Sequence, residues 1–220
     1  VCYISPMRAV RIHRHGGPEV LQWEEAPEPA VGQNDVLVRV KASSINRLDS
    51  WVRKGMPGVK IPFPRVMGCD AAGVVEALGP GVVGLAVGDR VVANPGHCCG
   101  ACEFCAEGNA SQCLSWKLLG ENRDGAQANL AAIPAATLVK LPAQVKFEDA
   151  AAMGLVGVTA WAMLAGKAKV RPGETVLIHG VGAGVGSVAR TAEARRGVSR
   201  ASGVGSMLAA SMRASHGRAV

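Results

Sequence analysis

The stretch Cys99-Gly-Ala-Cys102-Glu-Phe-Cys105 is followed, seven residues later, by Cys113, and this spacing is the most specific feature of the sequence. Four thiolates form the ligand set of a closed, tetrahedral zinc site, with Zn–S distances of about 2.3 Å. The short spacers aim successive sulfurs at one point, and the longer spacer returns the chain with the fourth. The pattern predicts one structural zinc, held by these four cysteines in a lobe over residues 95–115. Because four protein ligands leave no open position, this metal would fold a loop and catalyse nothing.

Two other uses of these cysteines have to be considered. Two disulfides would suit an oxidising compartment, but Val1 to Pro6 lacks the features of a signal peptide. An iron–sulfur cluster is a further alternative, but the bacterial cysteine run ends in a three-residue spacer and Cys-Pro, which this sequence lacks. Cys98 breaks the spacing and is expected to stand apart from the ligands.

Length and charge restrict the class of protein. A chain of 220 residues can form one large domain or two small ones, and its longest apolar runs are too short to span a bilayer. The net charge is +7, made up of +2 from 18 Lys+Arg and 16 Asp+Glu over residues 1–188 and +5 from six Arg and one Glu thereafter. Because the basic character is concentrated in the tail, it does not indicate a nucleic-acid-binding face. We expect neither a nucleic-acid nor a membrane partner, and a cytoplasmic location.

The first two thirds of the chain alternate apolar with polar residues and contain frequent Gly and Pro turns. This period of two predicts short strands over residues 7–13, 35–43, 71–78, 90–93, 126–133 and 137–141. A short helix is predicted over residues 46–54, where apolar residues recur at helical spacing. Many short strands of this kind indicate a β-barrel-like first domain over residues 7–145. Residues 1–6 precede Met7 and are interpreted as a non-native extension.

The pattern changes near Lys146. An Ala-rich helix is predicted from Phe147 and a second helix over residues 159–164. The buried-type strand Thr175–His179 then runs into a glycine turn and a helix over residues 187–195, an order typical of a dinucleotide-binding unit. The candidate cofactor-binding residues are Gly180, Gly182, Ala183, Gly184, Val185 and Gly186. Because the spacing is not a strict G-x-G-x-x-G, ordinary structural glycines are the alternative interpretation.

Several sequence motifs, taken together in their order along the chain, resemble those of a known protein family. They are Glu19-Val-Leu, Asp35-Val-Leu-Val-Arg-Val, Gly73-Val-Val, Gly88-Asp-Arg-Val, the four-cysteine lobe, Thr159-Ala-Trp and Gly173-Glu-Thr-Val-Leu-Ile-His-Gly. From Met7 to about Gly197 the chain resembles the medium-chain dehydrogenase/reductase superfamily, the group of zinc-binding alcohol dehydrogenases and quinone oxidoreductases. The resemblance implies an α/β plus β fold: a GroES-like catalytic domain, then a doubly wound Rossmann domain. It also implies hydride transfer with NAD(H) or NADP(H) in the cleft between them.

The catalytic zinc of that family does not carry over. Its three ligand positions fall at Asn46, at Cys69 and near Leu155, which leaves too few ligands for an open three-ligand site. Cys69 is expected to be a small buried residue. Asn46 and Asp49 are the candidate catalytic residues lining the cleft, although both could instead cap and brace the short helix. Without a metal, reduction of a quinone or enone fits better than oxidation of an alcohol.

The tail after Gly197 departs from the resemblance. Residues 198–220 have no β-branched run and no acid, so they resemble a low-complexity or frame-shifted segment. We expect no second Rossmann strand there, a nucleotide-binding domain confined to residues 146–197, and little turnover by this chain. The leading hypothesis is an NAD(P)H-dependent quinone or enone reductase that has one structural zinc and acts on a small carbonyl compound. Assembly of this enzyme as a homodimer is left open. The alternatives are a non-catalytic remnant stabilised by zinc and a zinc-dependent alcohol dehydrogenase.

Overall fold

The computed structural model describes residues 7–195, 200–204 and 218–219. The predicted extension over residues 1–6 and most of the predicted tail lie outside these ranges. The chain divides into two compact units, Val1–Gly154 and Leu155–Val220. The expected boundary was at residue 145, and the observed one is later because Ala150 and Ala151 pack against Ala72 in the first unit. Within the described ranges, no helix is both long and apolar enough to cross a bilayer.

The first unit is built mainly from short strands. These are β1 (Met7–Ile12), β2 (Gln22–Ala26), β3 (Asp35–Ala42), β4 (Arg65–Val66), β5 (Ala72–Leu78), β6 (Arg90–Ala93), β7 (Gly96–His97), β8 (Lys117–Leu118), β9 (Leu130–Pro134) and β10 (Leu138–Lys140). Its α-helices are α1 (Arg47–Lys54), α2 (Glu103–Ala106) and α3 (Phe147–Ala152). Single 3₁₀ turns occur at Pro18–Val20, Ala110–Gln112 and Ala135–Thr137.

The strands form two open sheets and a small ribbon. A five-stranded sheet has the order β10-β6-β5-β3-β9, a three-stranded sheet has the order β2-β1-β4, and β7 pairs with β8. The two sheets meet at Asn129, whose N–H donates to the Arg8 carbonyl at 3.0 Å and whose carbonyl accepts from the Val40 N–H at 3.0 Å. Although Asn129 joins the two sheets, their strand orders do not close, so the expected barrel is corrected to open sheets in the described residues. Because Asn129 bonds to both sheets, regular pairing of β9 starts only at Leu130 rather than at residue 126.

The core of the first unit lies on both faces of β3. Val36 and Val38 point into one cluster, which also contains Val75 and Ile133. Leu37 points the other way, into a second cluster. Each fully buried side chain of this size contributes about 1.5–3 kcal/mol to folding. This central strand is thus stabilised from both sides, which explains its nearly continuous apolar run.

The second unit contains a parallel sheet. Its elements are α4 (Gly154–Trp161), a π-helical segment Ala162–Lys167, β11 (Thr175–His179), α5 (Gly184–Arg195), β12 (Arg200–Val204) and β13 (Arg218–Ala219). Both β12 and β13 run parallel to β11, which lies between them. Leu164, Val176, Ile178 and Ala189 form its core.

The prediction that no second Rossmann strand follows α5 is wrong. β12 pairs with β11 along its whole length, from Thr175 opposite Arg200 to His179 opposite Val204. Strand pairing is made by backbone N–H and C=O groups, so the segment Arg-Ala-Ser-Gly-Val can pair although only its last residue has a high β-propensity. Apart from β12 and β13, the tail that was expected to be of low complexity lies outside the described ranges.

Candidate functional site

The four cysteines of the lobe are brought to one point by two short helical turns. Cys102 is the N-cap of α2, α2 itself carries Cys105, and the 3₁₀ turn Ala110–Gln112 leads into Cys113. The four Sγ atoms all lie within 4.8 Å of one another. Neighbouring sulfurs are 3.5 Å apart for Cys102–Cys105, 3.5 Å for Cys99–Cys113 and 4.0 Å for Cys99–Cys105. A tetrahedral zinc with Zn–S bonds of about 2.3 Å needs sulfurs about 3.8 Å apart, so the predicted group fits this metal.

Backbone donors surround these sulfurs. Cys113 Sγ accepts from the N–H of Cys99 at 3.2 Å and of Ser115 at 3.4 Å. N–H groups of Leu114 and Cys105 lower the pKa of Cys102 to about 6, which favours the thiolate that binds metal. Burial raises the pKa of Cys105 to about 12, and binding of a metal ion would displace the proton of this thiol.

The cysteines of the described residues are all free. Sulfurs 3.5 Å apart are far from the disulfide bond length of about 2.05 Å, so the disulfide alternative does not hold in this structure. Cys98 lies outside the metal-compatible group, as expected.

A second polar group surrounds the start of α1, and we call Ser44, Asn46, Asp49, Cys69 and Asp70 the α1 polar cluster. Asn46 is the N-cap of α1, and its backbone N–H donates to Asp49 Oδ2 at 2.6 Å, one half of a capping box. Its amide Nδ2 donates to Asp70 Oδ2 at 2.7 Å and approaches Cys69 Sγ at 3.2 Å. The Ser44 hydroxyl also donates to Asp70 Oδ2. Ser44 and Asp70 were not predicted as site residues, and their only signal in the sequence was their position near Asn46 and Cys69.

Burial controls the electrostatics of this cluster. The pKa of Asp49 is raised, mainly by burial and further by the nearby carboxylate of Asp70. Cys69 is completely buried, and burial together with these two carboxylates raises the pKa of its thiol well above the ordinary value. The expectation that Cys69 is a small buried residue is confirmed. The contacts of Asn46 and Asp49 are those of helix caps, and their catalytic role stays a prediction.

The glycine turn joins β11 to α5, and its glycines differ in what they require. Gly180 has a φ of +70°, a conformation that glycine adopts without strain. A Cβ on Gly186 would lie 2.4 Å from the Gly180 carbonyl oxygen, so only glycine fits there. A Cβ on Gly182 would meet nothing within 4 Å. Gly180 and Gly186 therefore shape the turn, and Gly182 leaves open space beside the N-terminus of α5, where a pyrophosphate can approach.

Comparison with known proteins assigns the chain to a family. A model of the alcohol dehydrogenase GroES-like domain matches residues 32–143. The chain belongs to this family, within the medium-chain dehydrogenase/reductase superfamily. The matched range contains the four cysteines and the α1 polar cluster of this medium-chain dehydrogenase/reductase chain. The glycine turn lies beyond that range.

Individual relatives extend the likeness into the second unit. The chain is 35% identical over 182 residues to an alcohol dehydrogenase of Schizosaccharomyces pombe, covering 82% of this chain and 52% of the relative. It is 32% identical over 181 residues to a quinone oxidoreductase of Rattus norvegicus, covering 82% and 47%. The crystal structure of an NAD-dependent alcohol dehydrogenase superposes with a TM-score of 0.86 and 45% identity, covering 90% of this chain and 58% of that one. The chain thus spans about half the length of the curated relatives it matches.

Proposed function

We propose that this chain is part of an NAD(P)H-dependent oxidoreductase that reduces a quinone or enone without a catalytic zinc, and that its lobe binds one structural zinc. The observation that carries the proposal is the contact of Asn46 with Cys69 and Asp70. By the family resemblance, Asn46 stands where a catalytic metal would have its first ligand. An amide in this position donates hydrogen bonds instead of binding zinc.

The hydrogen bonds of the α1 polar cluster support this choice of substrate class. The Asn46 amide has two N–H hydrogens, and its contacts with Asp70 and Cys69 engage both. Asn46 therefore acts more readily as a positioning group than as a donor to substrate. A substrate reduced at this site must stabilise developing negative charge largely through its own conjugation, as quinones and enones do and simple ketones do not.

The second unit supports the choice of cofactor. The open space at Gly182 and the N-terminal N–H groups of α5 suit a pyrophosphate, and the paired strands β11 and β12 supply the framework of a mononucleotide-binding half. When bound, a nicotinamide dinucleotide supplies the hydride. The residues of the turn would hold it and leave its reactive ring to be positioned elsewhere.

Metal content and substrate preference test the proposal together. We expect one zinc per chain by elemental analysis, binding of reduced nicotinamide dinucleotide, and oxidation of that dinucleotide by quinones or enones but not reduction of its oxidised form by simple alcohols. Two zincs per chain with alcohol oxidation would favour the zinc-dependent alcohol dehydrogenase. One zinc without dinucleotide binding would favour the non-catalytic alternative.

The variant Asn46→Ala tests whether Asn46 affects the reaction of the substrate or the binding of the dinucleotide. Because Asn46 contacts Cys69 and Asp70 within the first unit, its loss should lower the rate with quinones and leave dinucleotide affinity unchanged. Arg47→Ala is the matched control, since Arg47 is exposed and follows Asn46 directly. Equal rates for Asn46→Ala and the parent would remove Asn46 from the site.

A further inference from the structure

Two of the four lobe cysteines, Cys99 and Cys113, are held together by the backbone. The strands β7 and β8 pair at the base of the lobe, with His97 opposite Lys117, so the segments that lead to these two cysteines run side by side. The Cys99 N–H donates to Cys113 Sγ at 3.2 Å, across 14 residues of sequence, and the two sulfurs are 3.5 Å apart. Backbone pairing therefore supports this contact independently of an ion.

The base of the lobe is also fixed to the core of the first unit. The Leu119 N–H, just after β8, donates to the Pro95 carbonyl, just before β7, at 3.0 Å. The Leu119 side chain is buried in the larger apolar cluster of the five-stranded sheet. The helix α2 at the other end of the lobe has four residues, and none of them is buried. Loss of a metal should therefore loosen the part around α2 and leave Cys99 beside Cys113.

The four cysteines differ in their access to solvent. Cys99 is exposed, Cys102 and Cys105 are partly buried, and Cys113 is buried. A zinc site keeps its cysteines as thiolates, and peroxides oxidise exposed thiolates most readily. Oxidation is thus expected to begin at Cys99. The Cys113 sulfur lies 3.5 Å from that of Cys99, closer than the Cys105 sulfur at 4.0 Å.

We propose that Cys99 and Cys113 form a redox switch, in which a hydroperoxide converts their two thiolates to a disulfide and the lobe releases its zinc. The proposal rests on the zinc site of the proposed function, but the choice of this pair follows from the sulfur positions and the exposure of Cys99. It is independent of the dinucleotide and of the substrate. Because the disulfide would close across the base of the lobe, the β7–β8 ribbon should persist after oxidation.

The chemistry of the switch has two steps. The Cys99 sulfur attacks one oxygen of the hydroperoxide, the O–O bond breaks, and the other oxygen leaves with a proton as an alcohol, or as water from hydrogen peroxide. The Cys113 sulfur then attacks the resulting sulfenic acid, the S–S bond forms, the S–O bond breaks, and water leaves with a second proton. Two thiolates, one hydroperoxide and two protons give one disulfide, one alcohol and one water. The two remaining thiolates are too few for a closed zinc site.

Disulfide mapping of the zinc-loaded chain tests the proposal. Cleavage after Glu103 and Glu107 divides the lobe into three fragments. The first contains Cys98, Cys99 and Cys102, the second Cys105 and the third Cys113. After treatment with hydrogen peroxide, mass spectrometry should show the first fragment joined to the third, and a chromogenic chelator should detect about one zinc released per disulfide. A thiol reductant should reverse the cross-link and, with added zinc, restore the metal.

The same measurements give the outcomes that would overturn the switch. These are a first disulfide that joins the first fragment to the second, zinc release without a cross-link, and retained zinc with reduced cysteines under peroxide that oxidises glutathione in the same solution. A chain that holds no zinc before treatment would overturn the zinc site itself and the switch with it. The other outcomes would overturn only this inference.

Two variants assign the cross-link to one cysteine. Cys98→Ser should behave like the parent, because Cys98 lies outside the metal-compatible group. Cys99→Ser should lose the link between the first and third fragments. If Cys99→Ser fails to fold, fragmentation of the cross-linked peptide from the Cys98→Ser chain still distinguishes Cys99 from Cys102. A link that disappears in Cys98→Ser, or one that maps to Cys102, would contradict the proposal.

Discussion

The two units of this chain use charge in different ways. In the first, charges of both signs are equal in number and join neighbouring elements, as in the pairs Arg11–Glu24 at 3.0 Å and Lys140–Asp89 at 2.8 Å. The second unit, 66 residues long, contains nine basic residues and only two acidic ones. Charges of the first unit are thus paired with one another between elements, whereas the second unit has an excess of seven positive charges over its acids. Four substitutions test this contrast, from the largest expected effect to the smallest.

Gly186→Val should have the largest effect, and it should be confined to the second unit. The new Cβ would lie 2.4 Å from the Gly180 carbonyl oxygen and 2.8 Å from Val181 Cα, and backbone cannot yield as a side chain can. We expect a loss of unfolding free energy of about 3 kcal/mol or more and no dinucleotide binding. Denaturant unfolding monitored by circular dichroism measures the unfolding free energy, and fluorescence titration measures dinucleotide binding. An undiminished unfolding midpoint would show that the turn is not packed as described.

Cys102→Ser tests the lobe of the first unit. Loss of one of four thiolate ligands should weaken zinc binding by more than about 100-fold and loosen the lobe, because three sulfurs leave the ion open to water. The five-stranded sheet should persist, since its strands pair without the lobe. Zinc competition with a chromogenic chelator measures the affinity. Cys98→Ser is the control and should bind zinc like the parent; equal affinity for both variants would contradict the four-thiolate assignment.

Arg90→Met tests how the first unit uses a single cation. The Arg90 guanidinium donates to the carbonyls of Ala143 at 2.5 Å and Val145 at 2.6 Å and lies 4.4 Å from the centre of the Phe147 ring. Its loss leaves these carbonyls without their donor and should lower the unfolding free energy by about 2 kcal/mol. The control Arg39→Met removes an exposed pair with Glu76 and should change stability little. A smaller loss for Arg90→Met than for the control would contradict this role.

Asp49→Asn should have the smallest effect and one that depends on pH. Burial raises the pKa of Asp49 in the folded protein above its ordinary value of 3.8, so the folded state holds the proton more tightly than the unfolded chain. The stability that this proton contributes at low pH is lost as the pH rises through the folded pKa. Asn keeps an acceptor for the Asn46 N–H but does not titrate. The free energy of unfolding, measured in urea, should therefore increase for the variant relative to the parent as the pH rises from about 4 to about 7. If the difference in unfolding free energy between Asp49→Asn and the parent did not change with pH, this would argue against a raised pKa of Asp49.

Some features of the fold were predictable because they are local. The strands Arg90–Ala93 and Thr175–His179 have the predicted bounds, since alternation or a continuous apolar run between turn residues sets their limits. The helix α1 was predicted within one residue of its observed start, because Asn46 supplies an N-cap. The two-residue strands Arg65–Val66 and Gly96–His97 were missed, because so short a segment carries no period and pairs only where a neighbour offers a free edge.

The residues of the candidate sites also divide into those that are close in sequence, which could be predicted, and those that meet only in the folded chain. The four-cysteine group could be identified from spacing alone, because cysteines within about 15 residues approach one another through short turns. Asp70 could not be identified, because its contact with Asn46 crosses 24 residues and exists only when the segment after β4 returns to the start of α1. The same holds for Ser44, whose hydroxyl acquires its partner in the folded unit.

By itself, the sequence determined the four-cysteine lobe, the order of strand, glycine turn and helix, the family and the charge of each part, since all of these are set by residue types at fixed separations. Only the tertiary structure decided that the sheets stay open in the described residues, that Asn46 is tied to Asp70, and that Arg200–Val204 pairs with β11. Pairing of strands and burial of polar groups depend on which distant segments meet. A backbone hydrogen bond accepts nearly any side chain, so composition alone could not indicate where these bonds would form.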